Sequence, residues 1–83
     1  MDQIARSPKQ VGEALRRRRR HLSLTQTDLG AKTDLRQATI SAVESGEPGT
    51  QLRTLCDVMA ALDLELVIRP RSKAAAADIE ELF

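Results

Sequence analysis

The sequence predicts a mainly α domain of four to five helices around a helix-turn-helix, with one C-terminal β-strand that pairs across a dimer. Three observations predict it. Residues 25–46, TQTDLGAKTDLRQATISAVESG, read as two short helices joined by a tight turn. On either side, residues 8–22 and 50–62 carry apolar side chains at helical spacing, so each presents one apolar face. Residues 64–70, LELVIRP, alternate instead, are rich in β-branched side chains and stop at a proline, which is a strand pattern.

The chain divides into 1–6, 7–70 and 71–83. Residues 1–6 carry no pattern and read as a flexible arm. Ser7 then caps the first helix, with Pro8 where a missing N–H costs nothing and Gln10 three residues after the cap. Val11, Ala14, Leu15 and Leu22 form its apolar side. Arg16 to Arg20 point all the way round the helix, so Arg18 or Arg19 must lay its stem along apolar surface near the core. For most of the run a solvated face is the simpler reading, and its place in the last turns complements the negative end of the helix dipole. His21 has no second ligand in sight and reads as an exposed or packed imidazole.

Thr25 caps the second helix through its hydroxyl, and Asp28 stands three residues on, where a capping box has Glu or Gln. Leu29 points into the core. Gly30 lacks a β-carbon where the two helices cross closely, and Asp34, which tolerates left-handed angles, sits at the turn. The next helix runs from about Arg36 to Ser45 and stops at Gly46. Leu35, Ile40 and Val43 supply its buried side, while Arg36, Gln37, Ala38, Thr39, Ser41 and Ala42 lie opposite. These are small or hydrogen-bonding residues, suited to base edges in a major groove.

Glu47, Pro48 and Gly49 make a turn by composition, and Thr50 is positioned to cap the next helix. Leu52, Leu55, Met59 and Leu62 form its core-facing stripe. The strand that follows, with Leu64, Leu66, Val67 and Ile68, has no partner in an otherwise helical chain and would leave an open edge. Pairing with the same strand of a second copy solves this, which makes a homodimer the expectation. In 71–83 a polar break and an alanine run precede DIEELF. This stretch reads as disordered, or as a short helix whose edge, Ile79, Leu82 and Phe83, orders on a partner.

The run Leu24-Thr25-Gln26, then Leu29, then Gln37 to Ser41, Glu44 and Gly46 resembles the XRE family, the Cro and phage-repressor type, and is most similar to HipB-like antitoxins. The likeness covers roughly residues 8–69, and it departs at Asp34, where the family usually has Gly, and at Arg36, where it has a Ser or Thr cap. A looser turn and a recognition helix without a side-chain cap are expected there. The resemblance implies a lambda-repressor-like fold and an operator-binding repressor. It makes Gln37 the main base reader, with Arg36, Ala38, Thr39 and Ser41 beside it, and Thr25 and Gln26 phosphate contacts, to which Arg17 and Arg20 are candidate additions. It also implies an ion pair between Arg19 and Glu44, an intersubunit sheet, and a HipA-like serine/threonine-kinase toxin as partner. A stand-alone XRE-family regulator is the alternative.

Composition bounds these readings. A chain of 83 residues is near the size at which one core is marginal, and with one Phe and no Trp or Tyr the core is aliphatic. The net charge is +1, but residues 1–46 hold nine Lys or Arg against five acids and residues 47–83 four against seven. The basic half contains the helix-turn-helix, which suits a polyanion. Cys56 is alone and reads as a buried structural thiol. No apolar run is long enough for a membrane span and no signal peptide is evident, so a soluble cytoplasmic, nucleoid-associated protein is expected. Without a histidine pair, an activated nucleophile, a phosphate loop or CxxC, neither an enzyme nor a metal or cofactor site is expected.

Overall fold

The computed structural model describes residues 3–71, which contain four helices: α1 (Pro8–His21), α2 (Gln26–Thr33), α3 (Gln37–Glu44) and α4 (Leu52–Ala61). The expected helix starts are formed by local chemistry. Ser7 accepts from the Gln10 N–H at 3.1 Å with Pro8 in the first turn, and Thr25 and Asp28 make a reciprocal capping box. As expected from Arg36, α3 begins without a side-chain cap. α4 also lacks one: Gln51 stands at its N-cap, while the Thr50 N–H closes a turn onto the Glu47 carbonyl, one residue too early for capping.

All four helices end in one device. The chain turns through a left-handed residue, and the next N–H reaches back to a carbonyl of the last helical turn. Leu24 bonds Arg19 at 3.1 Å, Leu35 bonds Gly30 at 2.9 Å, Glu47 bonds Ala42 at 3.1 Å and Leu64 bonds Met59 at 2.8 Å. Only Gly46 is a glycine; Ser23, Asp34 and Asp63 hold φ of 60°, 58° and 57°. The turn at Asp34 is therefore as tight as a glycine would make it. In three cases the residue after the turn is a leucine, Leu24, Leu35 or Leu64, packed on the edge of the core.

That core is Leu15, Leu29, Ile40, Val43, Val58, Met59 and Leu62. Two glycines let α3 approach its neighbours. A β-carbon on Gly12 of α1 would stand 2.5 Å from the Glu44 carbonyl oxygen, and one on Gly30 of α2 would stand 2.6 Å from that of Leu35. Backbone cannot yield there as a flexible side chain could.

Several expectations change. Leu52 is 65% exposed, whereas Leu55, Met59 and Leu62 of the expected stripe lie in or against the core and Val58 joins them. Cys56 falls outside that stripe and is exposed. Leu22, at the C-cap of α1, is also exposed, and Leu24 takes its place against the core. No strand forms among the described residues: Leu64 makes one backbone hydrogen bond, to Met59, and residues 65–69 make none. A ladder needs a second strand, and the described residues offer none. Leu66, Val67 and Ile68 stand 59%, 66% and 91% exposed. The features read from Ile79, Leu82 and Phe83 lie outside the described residues.

Candidate nucleic-acid interface

Helix α3 turns Ile40, Val43 and Glu44 inward. Arg36, Gln37, Ala38 and Ala42 are exposed on the other side, with Thr39 and Ser41 half-buried at its edges. The predicted base-reading residues thus share one surface, bounded by an open cleft that Thr50, Gln51 and Thr54 line together with Ala38, Thr39 and Ala42. Of these three residues beyond α3, the sequence marks Thr50 only as a helix cap and gives Gln51 and Thr54 no role.

Beneath this surface runs a hydrogen-bonded chain. Arg19 of α1 donates through Nε to Glu44 Oε2 at 2.6 Å and through Nη2 to Oε1 at 3.0 Å, and its Nη1 donates to the Leu24 carbonyl at 2.8 Å. Both partners are buried, so the expected ion pair is internal. The bond to Glu44 raises the Arg19 pKa above its already high value; burial opposes this and the glutamate's charge adds to it. Gln26, at the start of α2, donates through Nε2 to Glu44 Oε1 at 3.1 Å, and Gln37 Nε2 donates to Gln26 Oε1 at 2.7 Å.

The direction of that chain is set chemically. An ionised carboxylate only accepts, so Gln26 must turn its amide nitrogen to Glu44 and its oxygen to Gln37. Gln37 must then donate one N–H inward, leaving its Oε1 and second N–H outward. An acceptor beside a donor is the pattern that suits adenine. Residue types and spacing alone did not reveal this coupling between the Gln26 and Gln37 side chains.

The other candidates are distributed differently. Thr25 is exposed and its hydroxyl oxygen accepts the Asp28 N–H at 3.0 Å. Arg20 is exposed. Arg17 lies on the opposite side of α1 from Arg19, two residues away on a helix, and its Nη2 donates to Gln3 Oε1 at 2.9 Å. Arg18, half-buried, caps the far end of α4 by donating to the Leu62 carbonyl at 3.0 Å. Leu64, Leu66, Val67 and Ile68 belong to another surface, facing the N-terminal arm. Among the described residues no cluster of three His, Cys, Asp or Glu could hold a metal, and no helix is long and apolar enough to cross a membrane.

This fold and surface define a DNA-binding helix-turn-helix regulator of the XRE type. The chain matches the helix-turn-helix family over residues 15–68 and belongs to it. It is related to the antitoxin HipB of Escherichia coli K12, 29% identical over 75 residues that cover 90% of this chain and 85% of HipB. It is 39% identical over 70 residues to the uncharacterized HTH-type transcriptional regulator y4dL of Sinorhizobium fredii, covering 82% of this chain but only 35% of that protein. Among solved structures, a HipB variant in an O2 20mer complex superposes with a TM-score of 0.81 at 29% identity, covering 87% of this chain and 100% of that one. A HipA–HipB–O2–O3 complex gives 0.79 at 30%, covering 86% and 100%.

Proposed function

We propose that the chain is the antitoxin of a type II toxin–antitoxin operon: a homodimer that represses its own operon at a palindromic operator and holds a HipA-like serine/threonine-kinase toxin inactive. The observation that carries this reading is the likeness to HipB across 85% of HipB's length, together with the match to the HipA–HipB–O2–O3 complex. In this reading α3 lies in the major groove. Gln37 reads adenine, Ala38 meets a thymine methyl, Thr39 and Ser41 serve bases or phosphates, and Arg36 reaches guanine or phosphate. Thr25, Gln26, Arg17 and Arg20 meet phosphate, the first two beside the positive end of α2. The two recognition helices of a dimer sit about 34 Å apart, one turn of DNA. The protein performs no catalysis, needs no cofactor and works in the cytoplasm at the nucleoid.

A stand-alone XRE-family regulator is the second reading, favoured by the higher identity to y4dL. Co-purification decides between them. The full chain, tagged and expressed from its own operon, retains a kinase-like protein encoded beside it if the antitoxin reading holds. Operator binding without any such partner leaves the plain regulator. Repeating the capture with a chain stopped after Pro70 separates any contribution of the tail.

A further inference from the structure

The segment from Leu64 to Arg69 leaves the domain at a fixed point. Arg18 holds the Leu62 carbonyl and Asp63 turns the chain, yet beyond Leu64 the backbone groups of 65–69 have no partner among the described residues. Leu66, Val67 and Ile68 are exposed, and so are the only charges of the stretch, Glu65 and Arg69. These two charges have opposite sign and lie symmetrically about Val67.

We propose that the segment pairs with its copy in a second chain in one register, antiparallel and centred on Val67, so that Glu65 of each chain faces Arg69 of the other. This rests on the dimer reading above and adds to it a register and a basis for partner choice. Two-fold pairing centred on Val67 sets residue 65 opposite 69, 66 opposite 68, and Val67 opposite itself. Side chains directly opposite lie about 4.5–5.5 Å apart at Cβ, close enough for ion pairs to stabilise and like charges to disrupt. The register forms both ion pairs at once, on the same face as Val67, and stacks Leu66 against Ile68 twice on the other face.

Competing registers lose this match. Centring on Leu66 sets Arg69 opposite Asp63 but leaves Glu65 opposite Val67, and centring on Ile68 sets Glu65 opposite Arg71 but leaves Arg69 opposite Val67. A parallel two-fold pair sets Glu65 beside Glu65 and Arg69 beside Arg69. Both Glu65 and Arg69 are therefore matched in one arrangement only, and a one-residue slip would also turn the apolar row to the wrong face.

The test is a charge swap followed by sedimentation of the full chain. Wild-type protein is measured first. Glu65→Arg and Arg69→Glu each set like charges opposite twice, and each weakens self-association about tenfold at low salt, with the loss shrinking in high salt. An equimolar mixture of the two single variants recovers dimerisation, because both cross-strand pairs are again opposite in sign. The double variant Glu65→Arg/Arg69→Glu recovers it alone. Both side chains are exposed, and thermal melts of each variant verify that the domain is folded. If the single variants dimerise like the wild type, or the mixture and the double variant stay weak, the register is wrong while the dimer stands. A wild-type chain that is monomeric at micromolar concentration overturns the dimer and the register together.

Discussion

Arg19 of α1 and Glu44 of α3, 25 residues apart in sequence, form a buried two-point ion pair with contacts of 2.6 and 3.0 Å. The same carboxylate orients Gln26, and through it Gln37, so one internal charge both fastens α1 to α3 and sets which atoms α3 presents outward. Removing one partner strands the other charge inside the protein. Arg19→Ala or Glu44→Ala should each cost about 3 to 5 kcal/mol of stability, whereas Arg19→Met/Glu44→Leu should cost well under the sum of the single losses. Urea denaturation of the three variants tests it, and strictly additive losses would show that the pair is not coupled.

For DNA, Gln37→Ala should lose about 1 to 3 kcal/mol at the cognate operator and relax discrimination there. Arg20→Ala should weaken all duplexes alike and lower the salt slope by about 1. Titrations on operator and scrambled duplexes separate the two behaviours. An equal loss on both duplexes for the Gln37 variant would remove it from base reading.

The left-handed residues that end α1, α2 and α4 carry a β-carbon cost that glycine avoids. Ser23→Gly should therefore stabilise the fold by about 0.5–1 kcal/mol, with smaller gains for Asp34→Gly and Asp63→Gly because aspartate tolerates these angles better. Ser23→Val should destabilise it. The midpoints of thermal unfolding rank the four variants, and a falling midpoint for Ser23→Gly would contradict the assignment.

Acid should loosen α2 first at its start. The Thr25 backbone N–H, then the Thr25 hydroxyl and the charge of Lys32, hold the Asp28 pKa below the ordinary carboxylate range. A folded value below the unfolded one means that the contribution is complete above the ordinary range and is lost as pH falls through the folded value. The melting-temperature gap between wild type and Asp28→Asn should accordingly narrow on acidification. A gap that stays constant down to the lowest pH at which both fold would rule out this linkage.

What the sequence determined by itself was local. Ser7, Thr25 and Asp34 act on neighbours within four residues, so their roles were legible in residue types and short spacings. The core positions Leu15, Leu29, Ile40, Val43, Met59 and Leu62 followed from helical spacing for the same reason. The Arg19–Glu44 pair was legible only through family resemblance, since nothing local joins residues so far apart.

The tertiary structure decided everything that depends on how one helix crosses another. Spacing shows that α4 has an apolar face, but the packing of α1 and α2 selects which row is buried, so Val58 went in while Leu52 and Cys56 stayed out. Gly12 reads as an unremarkable residue until the Glu44 carbonyl arrives against it. The bond from Gln37 to Gln26 likewise exists only because the turn at Asp34 brings two helix starts together. The segment after Leu64 marks the limit of both: its alternation is encoded in the residues, but a strand is a relation between two segments, and the described residues supply a single member.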